Sequence, residues 1–147
     1  MLTKKIITII TLSLCVFSIG SASFAATKHE TISFGANHAT EWSDASYQMK
    51  VNSPHGFYSK LTGINYVGMP SGLMPAGAEV NFRLYTSRTT GAYVSYATTH
   101  TYSDYSNGTW EHAGYTSTPS YNDSLIMASN STKTNLAGTA NVDWYYY

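Results

Sequence analysis

Apolar and polar residues alternate with a period of two through most of the chain, most cleanly from Ala78 to Tyr102. There Val80, Phe82 and Leu84 fall on one face and Asn81, Arg83 and Tyr85 on the other. That is the pattern of a strand with one face buried. Ser87 to Gly91 is polar and ends in Gly, as a hairpin turn requires. The aromatic and β-branched stretch Ala92 to Tyr102 follows. This pair is expected to be the central hairpin of the sheet.

The same reading extends along the chain. Thr31 to Ala36 is an edge strand with Ile32 and Phe34 inward, and Thr27 to Glu30 is a frayed end before it. Ala45 to Val51 sets Tyr47, Met49 and Val51 inward, and Asn52, Pro54 and Gly56 break it. Phe57 to Tyr66 is a weaker strand interrupted at Gly63. Gly68 to Gly77 carries too much Gly and Pro for a ladder and reads as a loop. Its Met69, Leu73 and Met74 either cap one end of the core or form an adaptable recognition loop. Ser103 to Gly108 is a turn, Thr109 to Thr116 a strand, and Ser117 to Asn122 a turn holding Pro119. Asp123 to Ser129 is the most apolar strand, with Leu125 and Met127 facing one way. Asn130 to Asn135 is a polar hairpin loop. Leu136 to Trp144 sets Leu136, Gly138, Ala140, Val142 and Trp144 inward. Short strands at this spacing predict an all-β fold, an antiparallel β-sandwich of about seven to eight strands.

Composition agrees. The chain holds 13 Tyr and three Trp, and only 11% of its residues are charged. Tyr and Thr favour strands, while Gly, Asn and Ser favour turns.

The first 25 residues follow another plan. Lys4 and Lys5 precede an apolar run, Ile6 to Ile19, and then small residues to Ala25. This is the layout of a secretory signal peptide cleaved after Ala25. The apolar run is shorter than the roughly 20 residues that span a bilayer. Cys15, the one cysteine, lies inside that run and not at its end, which argues against lipidation. The expected organisation is residues 1–25 as signal peptide and 26–147 as a single β-sandwich domain. It is secreted, Cys-free and not inserted in a membrane after cleavage. Export without cysteine fits a Gram-positive habit. An outer-membrane barrel needs alternation over roughly ten residues per strand, and only the last strand comes close.

Beyond Ala25, six Lys and Arg stand against eight Asp and Glu, a balance of −2, with no basic stripe. Nucleic acid and anionic membrane surfaces are therefore poor partners. No nucleophile elbow, zinc-helix, P-loop or dinucleotide motif occurs. His29, His38, His55, His100 and His112 are scattered. Asp104, Ser106 and Asn107 lack the further carboxylates of a calcium loop. His100 with Asp104, and Glu111 beside His112, read as surface residues near turns. No enzyme activity, cofactor or metal is expected.

The aromatic excess is the one feature with functional content. Tyr offers a rigid apolar ring and a polar tip. Tyr85, Tyr93, Tyr96 and Tyr102 along the hairpin, with Trp110, are the candidate ligand-binding residues. Tyr85 is expected outermost, since it faces away from Val80, Phe82 and Leu84. The competing reading is that these rings form cross-strand pairs that stabilise a small sandwich.

Several segments carry a resemblance. They are FRLYTSRTTGAYVSYATTHTY, then GYTSTPSY, then LIMASNSTKTNLAGTANVDW. With Val94–Ser95, the run Leu125 to Asn130, and Gly138 before Trp144, the chain resembles a group of short secreted Gram-positive all-β proteins classed as a domain of unknown function. The likeness covers about the last two-thirds of the chain beyond Ala25. More distantly it resembles the lactococcin-972 type of bacteriocin, without the His-rich, basic character of that type. The resemblance implies a secreted β-rich domain and brings no functional residues. The function expected is binding to a cell-wall glycan or surface protein through exposed Tyr and Trp. The alternative is a bacteriocin-like antagonist, or a component of its export and immunity system.

Overall fold

A computed structural model of the chain describes residues 26–36, 39–52 and 54–147. The expected signal peptide lies outside them. Nine strands and one short helix form two packed antiparallel sheets, an all-β sandwich. In chain order the strands are β1 (Lys28–Phe34), β2 (Glu41–Trp42), β3 (Tyr47–Gln48), β4 (Gly56–Tyr66), β5 (Glu79–Tyr85) and β6 (Thr98–His100). Helix α1 (Tyr102–Asn107) follows, then β7 (Glu111–Gly114), β8 (Ser124–Thr132) and β9 (Gly138–Tyr146). Sheet I has the order β1-β9-β4-β7. Sheet II has the order β2-β8-β5-β6, with β3 also pairing β8. No helix among the described residues is long and apolar enough to cross a membrane.

The core lies between the sheets and is filled by the positions that the period of two selects. Ile32 and Phe34 on β1, Ala140, Val142 and Trp144 on β9, and Phe57, Leu61 and Ile64 on β4 come from one side. Val80, Phe82 and Leu84 on β5, and Leu125 and Met127 on β8, come from the other. Met74 of the 68–77 loop joins this cluster and Met69 packs on it, so those two cap the core, whereas Leu73 is exposed.

Five expectations change. The chain before Thr31 is not frayed: β1 starts at Lys28 because Glu30 is buried and accepts from Trp144 Nε1 at 2.5 Å and from the Ser43 hydroxyl. The segment 57–66 is not weak. It lies inside the 11-residue β4 between β9 and β7, and Gly63 marks a register shift against β9 rather than an end. The strand expected over Ala45–Val51 contracts to Tyr47–Gln48, although Met49 is fully buried. Asn130–Asn135 is not a hairpin loop. Strand β8 runs on to Thr132, because Ser131 is buried and bonded to Tyr66 Oη and the Glu79 carbonyl, and the chain then crosses to the other sheet. Ser103–Gly108 is not a plain turn. Thr101 and Asp104 form a reciprocal capping box that starts α1, and Gly108, at φ 64°, ends it.

The hairpin after β5 is half kept. Loop 86–92 closes through Thr86 N–H to the Ala92 carbonyl, and Tyr85 bridges Tyr93. The return arm then leaves β5. Ser95 bridges Tyr115, the Tyr96 N–H donates to the Gly114 carbonyl, and only Thr98–His100 rejoins β5. The Ser95 hydroxyl takes the hydrogen bond from the Leu84 N–H at 2.9 Å, in place of the ladder carbonyl that has moved away. This segment sews the edge of sheet II to β7 of sheet I.

Candidate functional site: an aromatic platform on sheet I

The parity that buries Trp144 and Tyr146 sends Tyr145 and Tyr147 to the outer face of sheet I. Tyr146 is buried and its hydroxyl donates to the Gln48 carbonyl at 2.9 Å, which fixes this register. On β4 the same parity sends Tyr58 outward, in register with Tyr145 on one side and His112 on the other. The Tyr58 ring stacks on Tyr145 at 5.1 Å and on Tyr147 at 5.4 Å between centroids. It tilts against His112 at 4.8 Å. Trp110, just before β7, stands edge-on to Tyr145 at 5.2 Å, with Lys60 Nζ 4.9 Å from its ring centre. Three strand positions, Tyr58, His112 and Tyr145, and two flanking residues, Trp110 and Tyr147, thus form one outward aromatic surface, whose Trp110 and His112 are exposed.

Beside the rings the face turns polar. Asp143 pairs with His29 Nδ1 at 2.6 Å and lies 3.9 Å from Lys60 Nζ. Thr31 Oγ1 donates to Asn141 Oδ1 at 2.8 Å, and Thr62 Oγ1 to the Asn141 carbonyl at 3.1 Å. A shallow hollow of about 170 Å³ lies over these groups. Burial, and then the neighbouring Tyr58, push the Tyr145 hydroxyl up from its ordinary pKa. It stays neutral and able to donate. Rings that stack on a flat apolar face, with donors and acceptors at one edge, suit a ligand that is flat and apolar on one side and polar at its rim.

The five residues expected to bind do not form one site. Tyr85, expected outermost, is 5% exposed. It does face away from the core, but Trp42 on β2 packs edge-on against it at 6.1 Å and Tyr93 at 6.3 Å. Arg88 Nη2, donating to the Ser43 and Asp44 carbonyls, ties the 86–92 loop to the segment after β2. Tyr93 is 43% exposed on sheet II, with Tyr85. Tyr96 is exposed on the segment that joins the sheets, and Tyr102 is exposed on α1 against Tyr105. Trp110 alone of the five belongs to the sheet I platform. Tyr58, Tyr145 and Tyr147 were missed, and their alternation with Phe57, Ser59, Trp144 and Tyr146 was the available signal. What brings Tyr58 beside Tyr145 is the pairing of β4 with β9, a contact far apart in sequence.

The acid–base candidate His100 is also not at the surface. Thr98 and His100 point inward from β6, and His100 is fully buried. Its Nε2 lies 2.8 Å from Ser59 Oγ, which in turn lies 2.6 Å from Thr98 Oγ1, while Nδ1 has no partner. Burial drives its pKa down to about 4, with Asp104 opposing weakly. A serine and a histidine at this distance have nucleophile-and-base geometry. Both are sealed between the sheets, so the pair ties sheet I to sheet II instead. Burial works against ionisation of Asp104, but bonds from the Thr101 hydroxyl and N–H hold its pKa below the usual value. Among the described residues no three His, Cys, Asp or Glu side chains gather as a metal site.

The fold and face together define an all-β sandwich with an exposed aromatic platform. No family model, curated protein or solved structure matches the chain.

Proposed function

We propose that this chain is a secreted binding domain, without catalytic turnover, that engages a cell-wall glycan through the outer face of sheet I. One observation carries the reading: Tyr58, Tyr145 and Tyr147 stack in a row on an outer sheet face, with Trp110 edge-on beside them. The C–H face of a pyranose is apolar and its rim is hydroxyl-rich. Stacked rings beside Lys60, Asp143 and Asn141 complement both surfaces. A surface row of rings is also costly to keep solvated without a partner.

The test is co-sedimentation of residues 26–147 with Gram-positive cell walls at low and high salt, with soluble wall glycan as competitor. Pelleting that survives salt and yields to the glycan is expected, because aromatic contacts are not screened as charges are. Tyr145→Ala should weaken binding about tenfold, the equivalent of roughly 1.4 kcal/mol, while melting close to the parent. A protein that stays in the supernatant, or a Tyr145→Ala variant that pellets as well as the parent, overturns the proposal.

A further inference from the structure

A second concave surface lies on the outer face of sheet II, a groove of about 290 Å³ lined by Asn81, Arg83, Tyr85, Asn130 and Thr132 among others. Its floor is the pairing of β5 with β8, where Asn81 faces Asn130 and Arg83 faces Ala128. Small Ala128 opposite long Arg83 leaves the space.

Arg83 is the unusual group. The other five cations of the described residues all have partners. Lys28 donates to the Ala26 carbonyl, Lys50 to Asn122 Oδ1, and Arg88 to two carbonyls. Lys60 is paired with Asp143 and Lys133 with Glu79. Among the Lys and Arg side chains of the described residues, that of Arg83 alone makes no hydrogen bond or ion pair. Its guanidinium is held over the Tyr93 ring, 5.0 Å from the centre. That contact fixes its position and leaves its donors unused. The other charged residue on this face of β5, Glu79, is taken by Lys133 and Thr132. It does not neutralise Arg83.

The surrounding polar groups are already ordered. Asn81 Oδ1 accepts from Thr99 Oγ1 at 2.7 Å, and Asn81 Nδ2 donates to Asn130 Oδ1 at 3.1 Å. That orientation leaves the Asn130 amide N–H groups free to face a ligand. The groove therefore combines a positioned cation with unspent planar donors, a fixed amide at Asn130 and the ring of Tyr85 on its wall, while the Thr132 hydroxyl is already engaged, donating to Glu79 Oε2 and accepting from Asn81 Nδ2.

We infer that the sheet II groove binds an anionic, hydroxyl-rich ligand, an acidic saccharide whose carboxylate or phosphate is received by Arg83 and whose hydroxyls meet the free amide N–H groups of Asn130. A planar guanidinium suits either oxyanion, since both accept paired N–H donors. This site is on the opposite sheet from the aromatic platform and does not depend on it.

The experiment titrates isotope-labelled protein with three probes: a galacturonate tetramer, a neutral glucose tetramer and glucose 6-phosphate. NMR signals of Arg83 Nε–H and of the Asn81 and Asn130 amides are followed. An acidic probe should move these signals saturably and bind at least about tenfold more tightly than the neutral tetramer. Added salt should weaken it. Comparing the galacturonate and phosphate arms decides which oxyanion is preferred. Arg83→Gln should abolish the preference for the acidic probe, Arg83→Lys should keep part of it, and Tyr145→Ala should leave it unchanged. The inference is overturned if the neutral tetramer binds as well, if Arg83→Gln binds as the parent does, if the shifts map only to Tyr58 and Tyr145, or if no probe binds at millimolar concentration. Loss of wall binding by Tyr145→Ala with these shifts intact separates the two sites.

Discussion

His100 should make the domain acid-sensitive. Its ring is fully buried, with Nε2 on Ser59 Oγ and Nδ1 unpartnered, so a proton would bring a charge between two sheets. Its pKa falls from 6.5 to about 4 in the folded protein. Between those values the unfolded chain binds more protons than the folded one, so stability rises with pH across the window. The contribution is complete above pH 6.5, declines as pH falls toward 4, and is constant below that. At 1.36 kcal/mol per unit, the fall amounts to about 3 kcal/mol. That is a large share of the 5–15 kcal/mol typical of a domain. Urea unfolding of residues 26–147 at several pH values between about 7 and 4, for the parent and for His100→Gln, measures it. Gln can still hydrogen-bond Ser59 but cannot titrate. It should cost about 1–3 kcal/mol at neutral pH and then lose less stability on acidification, so the two curves converge. Glu30, raised by burial, and Glu79, lowered chiefly by its bond from Lys133, titrate in both proteins. Their effects cancel in the difference. Asp104 is present in both: burial opposes its ionisation and the Thr101 bonds favour it in each, while the smaller pull of His100 is lost in His100→Gln. Parallel curves, or an NMR titration placing His100 near its ordinary pKa, would refute the reasoning.

Four further substitutions probe the joints of the fold. Ser95→Ala removes the acceptor for the buried Leu84 N–H and should cost about 1–3 kcal/mol, whereas Tyr96→Ala, one residue on and exposed, should change stability by less than about 0.5 kcal/mol in the same urea titration. At Gly138 a Cβ would collide with the Asn65 carbonyl and come within 2.6 Å of the Phe34 ring. Gly138→Ala should therefore lower stability by about 1–3 kcal/mol, seen as a lower melting temperature. Glu30→Ala leaves Trp144 Nε1 without its acceptor and should cost about 1–3 kcal/mol. A blue-shifted Trp144 emission with unchanged stability would contradict that role.

The period of two, by itself, determined the fold class and most of the core. An alternating strand can bury only one face, so Ile32, Phe34, Val80, Phe82, Leu84, Leu125, Met127, Ala140, Val142 and Trp144 were all placed inward correctly. The loop at 68–77 was legible for a similar local reason, because Pro and Gly act on their own backbone. The capping box at Thr101 and Asp104 is equally local, a Thr followed three residues later by a carboxylate.

Strand partners were decided only in three dimensions. Alternation says which residues share a face, but not which strand lies alongside. Tyr58 meets Tyr145 because β9, the last strand, inserts between β1 and β4. Tyr85 is covered because Trp42, more than forty residues earlier, arrives on the neighbouring edge. His100 is sealed because its strand faces Ser59 across the sandwich. Outward-facing and exposed are different properties. Local sequence fixes the first, and the long-range pairing of β2, β8 and β9 fixes the second.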